Sequence, residues 1–533
     1  MPRLFYLLLM LLGEHVTARA VSAVAKREVL NDLSGGFCRN WKFGATIANE
    51  VLYLNGLDGG IIPGDNNGSN NYLVELDLST HVNLLNGANY KLSQIPPDVP
   101  KLKDQAFWSN RANTTLFSYG GRGANDTLAD NEVWTYNISD GSWHIQKTSV
   151  KPVRLLGGAY VDAPESQAAF WIGGYQSRDT TSSITDETKT YSTGMIQFNT
   201  TTEEFSLLES PFTPVQEGAL VYLPVGGQGV LIFFGGEVPS IQDGIDAELT
   251  PNAWNYVQIY DIKTRTWYNQ TTAGNVTPRT QFCASVVHDP STATYQIYVI
   301  SGADFETRDI ITDAAYLSVP AFKWYSAPGL NKGRMSHTCL THGRQIFGIG
   351  GRQAWADNSS AGCYNMPTFI YDAQTEVVRN EFNPGLSSYS VPSATSSDIA
   401  NSPYPSVWAD TALADIFYSP TLGNRHPTDD WPISNPTNKG AIAGGVVGGV
   451  AGAAIIVGLI WFFIRWSRRK AQQEDTKEDP VQAESKPKCH GLQELPANHT
   501  FVELEGGDSR TELQGDSRYV QELNSSMVDG QRK

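Results

Sequence analysis

An apolar run that ends in glycine recurs six times along this 533-residue chain, and any fold has to accommodate every copy. The runs are VLYLNGLDGG (51–60), LFSYGG (116–121), FWIGG (170–174), VLIFFGG (230–236), IYVISGA (297–303) and IFGIGG (346–351). Their ends fall at intervals from about fifty to the mid-sixties, the range of a propeller blade with inserted loops. A second aromatic strand follows each run: YLVELD, VWTYN, MIQFN, VQIYD, AYLSV and TFIYD. An Asn or Asp usually comes next, at Asp77, Asn137, Asn199, Asp261 and Asp372. Such a side chain bonds its own backbone and starts a turn. In four copies a large side chain stands seven residues beyond the strand's anchor, in the pairs Tyr136/Trp143, Phe198/Phe205, Tyr260/Trp267 and Leu317/Trp324.

Composition agrees with a turn-rich β structure. Aromatics reach 11%, Gly (49) and Pro (28) are frequent, and only 18% of residues are charged. The net charge of −16 argues against nucleic acid, because phosphate binding needs a basic surface.

The double glycine, the aromatic strand and the turn followed by Trp resemble the kelch repeat over about residues 37 to 384. Arg334 and His337 fit the kelch opening strand. The resemblance implies an all-β, kelch-type β-propeller of six blades over 37–394, with a degenerate seventh blade as the alternative. SSYSVPSA (387–394) is expected to add a strand that closes the ring. The structural residues it implies are Gly120, Gly121, Tyr136, Trp143, Gly173, Gly174, Gly235, Gly236, Tyr260, Trp267, Trp324, Gly350 and Gly351. In a kelch propeller the glycines end a strand where backbones crowd, and the Tyr and Trp rings lie between neighbouring sheets. Blade five departs with Ser301-Gly302-Ala303, and blades one and six lack the final Trp.

The flanks carry targeting information. MPRLFYLLLMLLGEHVTARA (1–20) reads as a signal peptide: Arg3, a short apolar core from Leu4 to Leu12, and the cleavage site Ala18-Arg19-Ala20. Ala23-Val24-Ala25 offers a second cleavage site, which would extend the signal to residue 25. Residues 395–439 read as a Ser/Pro/Asn-rich stalk, with one short helix within VWADTALADIF (407–417). Residues 440–464 contain no charge and are long enough for one transmembrane helix at about 1.5 Å per residue. Arg465, Arg468, Arg469 and Lys470 follow at once and mark the cytoplasmic side, leaving 465–533 as a disordered cytoplasmic tail. The expected topology is single-pass type I, in the plasma membrane or the secretory pathway.

That topology places the sequons Asn67, Asn113, Asn125, Asn137, Asn199, Asn269, Asn275 and Asn358 outside as N-glycosylation sites. Cys38, Cys283, Cys339 and Cys363 also fall outside, and allow two disulfides in three pairings. Small residues at Gly444, Gly448 and Gly452 offer a helix-dimer face and hence a homodimer. The tail repeats QEL, VELEG, TELQG and QEL, a multivalent motif for a cytosolic partner set against a reading as plain acidic low complexity.

Motifs for chemistry are sparse. SHTCLTH (336–342) brings His337, Cys339 and His342 together in sequence. On a strand His337 and Cys339 share a face while His342 points the other way, so a metal is not assigned. Some fungal kelch-like propellers are copper radical oxidases, but no Tyr-His ligand pair stands out here. DGIDAEL (243–249) and PGDNNGSNN (63–71) read as solvated loops. No nucleophile elbow, phosphate loop or zinc-protease helix occurs. No catalytic, cofactor-binding or metal residue is therefore assigned. The layout resembles fungal kelch-repeat type I membrane proteins, which points to a non-enzymatic surface or secretory-pathway protein that binds a protein or wall glycan. The alternatives are an oxidase or other carbohydrate-active enzyme on the same scaffold, and an adaptor that acts through its tail.

Overall fold

The structure is a computed structural model that describes residues 41–418, apart from 43, 57–70, 124–131, 152, 212–214, 241–247, 356–362 and 365–367. It also gives the backbone of strands Arg27–Val29, Phe37–Cys38 and Cys363–Tyr364. The expected signal peptide, the segment 440–464 with Gly444, Gly448 and Gly452, and the tail lie outside the described residues. Among the described residues, no helix is long and apolar enough to cross a membrane.

Six antiparallel sheets of four or five strands form the blades. Blade two is built from Leu102–Ser109, Thr115–Gly123, Val133–Asn137 and Trp143–Gln146, paired in chain order from the axis outward. Blades three to six repeat that order, and blade one adds Arg27–Val29 as a fifth, outermost strand. The innermost strands are Gly44–Ala48, Leu102–Ser109, Ala159–Ala163, Ala219–Leu223, Cys283–Asp289 and Thr338–His342. They adjoin one another in that order, and the last returns to the first.

The ring thus closes with six blades and without the strand expected from SSYSVPSA. Residues 387–392 carry no strand, and Ser393–Asn401 is a helix, α1. The seam is made instead by two short ladders between the first and sixth blades. Phe37–Cys38 pairs with Cys363–Tyr364, and Glu381–Phe382 pairs with Val82–Asn83.

The seven-residue spacing in the sequence is an antiparallel hairpin seen end on. Tyr136 lies opposite Trp143, Phe198 opposite Phe205, Tyr260 opposite Trp267 and Leu317 opposite Trp324. The three aromatic pairs stand 5.2, 4.7 and 4.9 Å apart between ring centroids. Between them the Asn turns as its chemistry requires: Asn137 Oδ1 accepts from the Ser139 N–H at 2.9 Å and its hydroxyl at 2.7 Å. The rings fill the spaces between blades. Tyr136 and Trp143 pack with Tyr53 and Phe107 between blades one and two, while Trp108, Tyr119, Trp171 and Phe198 pack between blades two and three. Each such ring buries roughly 150–250 Å², worth several kcal/mol as an upper bound.

Among the described residues a glycine pair stands at the end of the second strand from the axis in blades two, three, four and six. Gly173 and Gly174 have φ of +69° and +80°. A Cβ on either would strike a backbone carbonyl, that of Val215 or of Leu156, where the chain enters a neighbouring innermost strand. Backbone crowding, not turn chemistry alone, excludes a side chain there.

The segment expected to begin a stalk at residue 395 packs onto blades four and five as far as Tyr418. Tyr404, Trp408 and the buried face of helix α2 (Thr411–Phe417) join a core with Phe322 and Trp324. Gln270 ties this segment down, donating to the Val407 carbonyl at 3.1 Å and accepting from the Ala409 N–H at 3.0 Å. The helix foreseen within 407–417 is therefore present, but docked.

Candidate binding face and central channel

At one mouth of the central channel, each blade places one residue of left-handed backbone at the start of its innermost strand. They are Lys42, Asp104, Gly157, Glu217, Gln281 and Ser336, with φ of +54°, +62°, +65°, +57°, +53° and +55°. Left-handed backbone costs a non-glycine residue about 1–2 kcal/mol, so the surroundings must impose it. A closed belt of hydrogen bonds does so. The Lys42 N–H donates to the Ser336 carbonyl at 3.1 Å, Ser336 to Gln281 at 2.6 Å, Gln281 to Glu217 at 3.4 Å and Glu217 to Gly157 at 2.8 Å. The Gly157 N–H donates to Asp104 Oδ2 at 3.1 Å, and the Asp104 N–H returns to the Lys42 carbonyl.

The belt side chains make a charged cluster. Lys42 Nζ pairs with Glu217 and lies 3.7 Å from Asp104 Oδ2. Burial alone would lower the Lys42 pKa, but Asp104 and Glu217 outweigh it and hold the ammonium charged well above the usual lysine range. Burial pushes the Asp104 carboxyl up, and Lys42 partly offsets that. Glu237 stands behind Glu217, accepting from Gln216 at 2.6 Å and Thr280 at 2.7 Å, with its carboxyl raised by burial and then by Glu217.

Long connections rise on this same side, because they follow the glycine pairs. The hairpins Tyr175–Gln176/Thr190–Tyr191 and Glu237–Pro239/Leu249–Pro251 start beside the belt, where Tyr175 bridges Leu156 and Glu237 bridges Gln216. Arg308, on the corresponding loop of blade five, stacks 4.4 Å over the ring of Trp355 on that of blade six. The opposite side carries tight turns, such as Asn49-Glu50 between strands Gly44–Ala48 and Val51–Asn55, together with the blade-one connection 78–89, whose Leu78 N–H donates to the Glu50 carbonyl at 2.7 Å.

Below the belt runs a channel of about 720 Å³ walled by all six innermost strands. Asp162 is half-buried in that wall, and its Oδ2 accepts from the Ser109 N–H at 2.9 Å and the hydroxyl at 3.3 Å. Desolvation pushes its carboxyl up to about 7 against those hydrogen bonds. Cys283 and Cys339, on adjacent innermost strands, form a disulfide with Cα atoms 5.3 Å apart. Their donor atoms and one ring nitrogen of His337 all lie within 4.8 Å of one another. Burial, then Arg334, push the His337 imidazole down to about 3.

These positions sort the residues singled out in the sequence. Of SHTCLTH, His337 and Cys339 do share a site, and His342 turns away to Glu50 at 2.9 Å. Cys283, the third member, was invisible as a neighbour because it lies 56 residues from Cys339. Cys38 stands opposite Cys363 in backbone register. Among the sequons, Asn269 and Asn275 are exposed and Asn113, Asn137 and Asn199 half-buried, while Asn67, Asn125 and Asn358 lie outside the described residues. Loop 63–70 and residues 243–247 of DGIDAEL lie outside them too. A Tyr-His contact does exist, His288 stacked on Tyr295 at 4.3 Å, but as cross-strand neighbours rather than a ligand set. The belt itself escaped the sequence reading. Its trace was the repeated spacing Arg279/Gln281 and Arg334/Ser336, an arginine two residues before the left-handed position.

Residues 106–351 match the KLHDC2/KLHL20/DRC7 Kelch-repeats domain, from the innermost strand of blade two to the glycine pair of blade six. Over those residues the propeller resembles the kelch type. The chain is 24% identical over 441 residues to a Kelch repeat-containing protein of the fungus Arthroderma benhamiae. That similarity covers 71% of this chain and 62% of the relative, so the chain spans less than two thirds of that protein's length. A solved structure described as "Structure of YjhT" is 14% identical, with a TM-score of 0.45, over 66% of this chain and 100% of that one.

Proposed function

We propose that this kelch propeller is a non-enzymatic binding module that receives a protein partner on its belt face. The observation that carries the reading is the asymmetry of the ring. One mouth joins a rigid, charged belt to the long connections that follow the glycine pairs, and recognition residues concentrate on loops held by a rigid scaffold. Kelch propellers generally mediate protein binding, which favours a protein over a glycan. We further propose that the module is displayed by a single-pass type I protein of the plasma membrane or secretory pathway. The support is the apolar 440–464 segment with basic residues at its end, preceded by a cleavable-looking N-terminus.

The test is proximity crosslinking on cells that express the full-length chain. Partners recovered with the wild type should be lost with Arg178→Glu/Glu306→Lys, which alters exposed belt-face loops of blades three and five. They should persist with Arg111→Glu at the other mouth. Loss with Arg111→Glu alone would move the site to the opposite face. Retention on wall polysaccharide without any protein partner would overturn the protein reading.

A further inference from the structure

In the channel wall two cysteines that join the core between blades five and six converge with a histidine that is not part of that core. Cys283 and Cys339 reach toward each other from the innermost strands of blades five and six, and His337 precedes Cys339 by two positions on the same face. All three line the channel and are buried, His337 being only 5% exposed. Neither ring nitrogen of His337 has a hydrogen-bond partner among the described residues. A buried imidazole usually finds at least one, because an unmet polar group costs about 1–3 kcal/mol. The ring is also held in place: a Cβ on Gly351 would lie 2.9 Å from the His337 Cβ, so glycine there makes room for it.

We propose that Cys283, Cys339 and His337 form a redox-gated site for a thiophilic d10 cation such as Zn²⁺, with the fourth position open to the channel. Two thiolates and an imidazole are the donors such a cation prefers, and three protein ligands leave one place for water or a ligand. Tetrahedral coordination needs donors roughly 3.5–3.8 Å apart. The three atoms already lie within 4.8 Å of one another, so side-chain rotation suffices once the sulfurs part.

The two states exclude each other. In the oxidised state the sulfurs are bonded and offer no thiolate. A dithiol reductant supplies two electrons, cleaves the Cys283–Cys339 bond and is itself oxidised to a disulfide. The two thiols then release two protons to solvent as they bind the cation, and neutral His337 donates a lone pair without proton change. Reoxidation of the thiolates by a disulfide oxidant expels the metal.

The experiment is a Zn²⁺ titration of the full-length chain, reduced anaerobically or left oxidised, with Co²⁺ as the spectroscopic substitute. The expected result is one additional equivalent of tightly bound Zn²⁺ in the reduced chain, with a thiolate-to-Co²⁺ charge-transfer band. His337→Gln, which keeps side-chain bulk and both cysteines, should weaken that equivalent by at least about tenfold. It should leave the disulfide of the oxidised form, read by peptide mapping, intact. Circular dichroism of the reduced wild type and of His337→Gln serves as the folding control. No extra Zn²⁺ in the folded, reduced chain would overturn the proposal, as would affinity that His337→Gln leaves unchanged.

Discussion

Asp162 is a carboxylate that the channel wall strips of water, and the Ser109 N–H and hydroxyl, with the Thr46 hydroxyl, compensate only in part. Desolvation wins, and the group titrates near 7 in the folded chain against about 3.9 when unfolded. The sign follows from proton counting. Between those values the folded state holds a proton that the unfolded state has released, so stability is fullest below about pH 4 and is lost as pH rises to about 7. Asp162→Asn keeps the Ser109 acceptor and removes the titration. Its urea midpoint should exceed that of the wild type at about pH 8, with the difference shrinking toward about pH 4. A difference that does not vary with pH would show that Asp162 ionises normally.

The hairpin is the element that sequence revealed best. Seven residues from Tyr136 to Trp143 meant a strand, a turn and a return, because opposite positions in an antiparallel pair share a face. Trp143 is 1% exposed in the layer between blades one and two, so Trp143→Ala should cost about 3–5 kcal/mol in urea unfolding. A cost near zero would mean the blades are held by other contacts. Helix α1 shows the converse. SATSSDIAN has a single buried apolar residue, Ile399, and so no helical stripe to read. Its conformation comes from tertiary contacts: Asp398 accepts from Lys323 at 2.7 Å and from Tyr325 at 2.6 Å. The Cys283–His337–Cys339 cluster was half legible for the same reason. Strand periodicity paired His337 with Cys339, but only the approach of blade five to blade six brings in Cys283.

Around the whole ring, stability depends on closure, and the belt is where closure is most exposed to a single change. Lys42 belongs to blade one, Asp104 to blade two and Glu217 to blade four, so one ammonium neutralises two carboxylates from separate sheets across the mouth. Their side chains are 22%, 18% and 12% exposed, too little for water to replace a missing partner. Lys42→Met should therefore leave two facing, poorly hydrated carboxylates and cost about 3–5 kcal/mol. The triple variant Lys42→Met/Asp104→Asn/Glu217→Gln removes all three charges and retains an acceptor for the Gly157 N–H. It should recover most of that loss, because a buried ion pair is expensive to break singly but not to replace as a set. Equilibrium urea unfolding of the wild type, the single and the triple variant distinguishes the cases. If the triple variant is as unstable as Lys42→Met, the loss lies in packing at the mouth rather than in stranded charge.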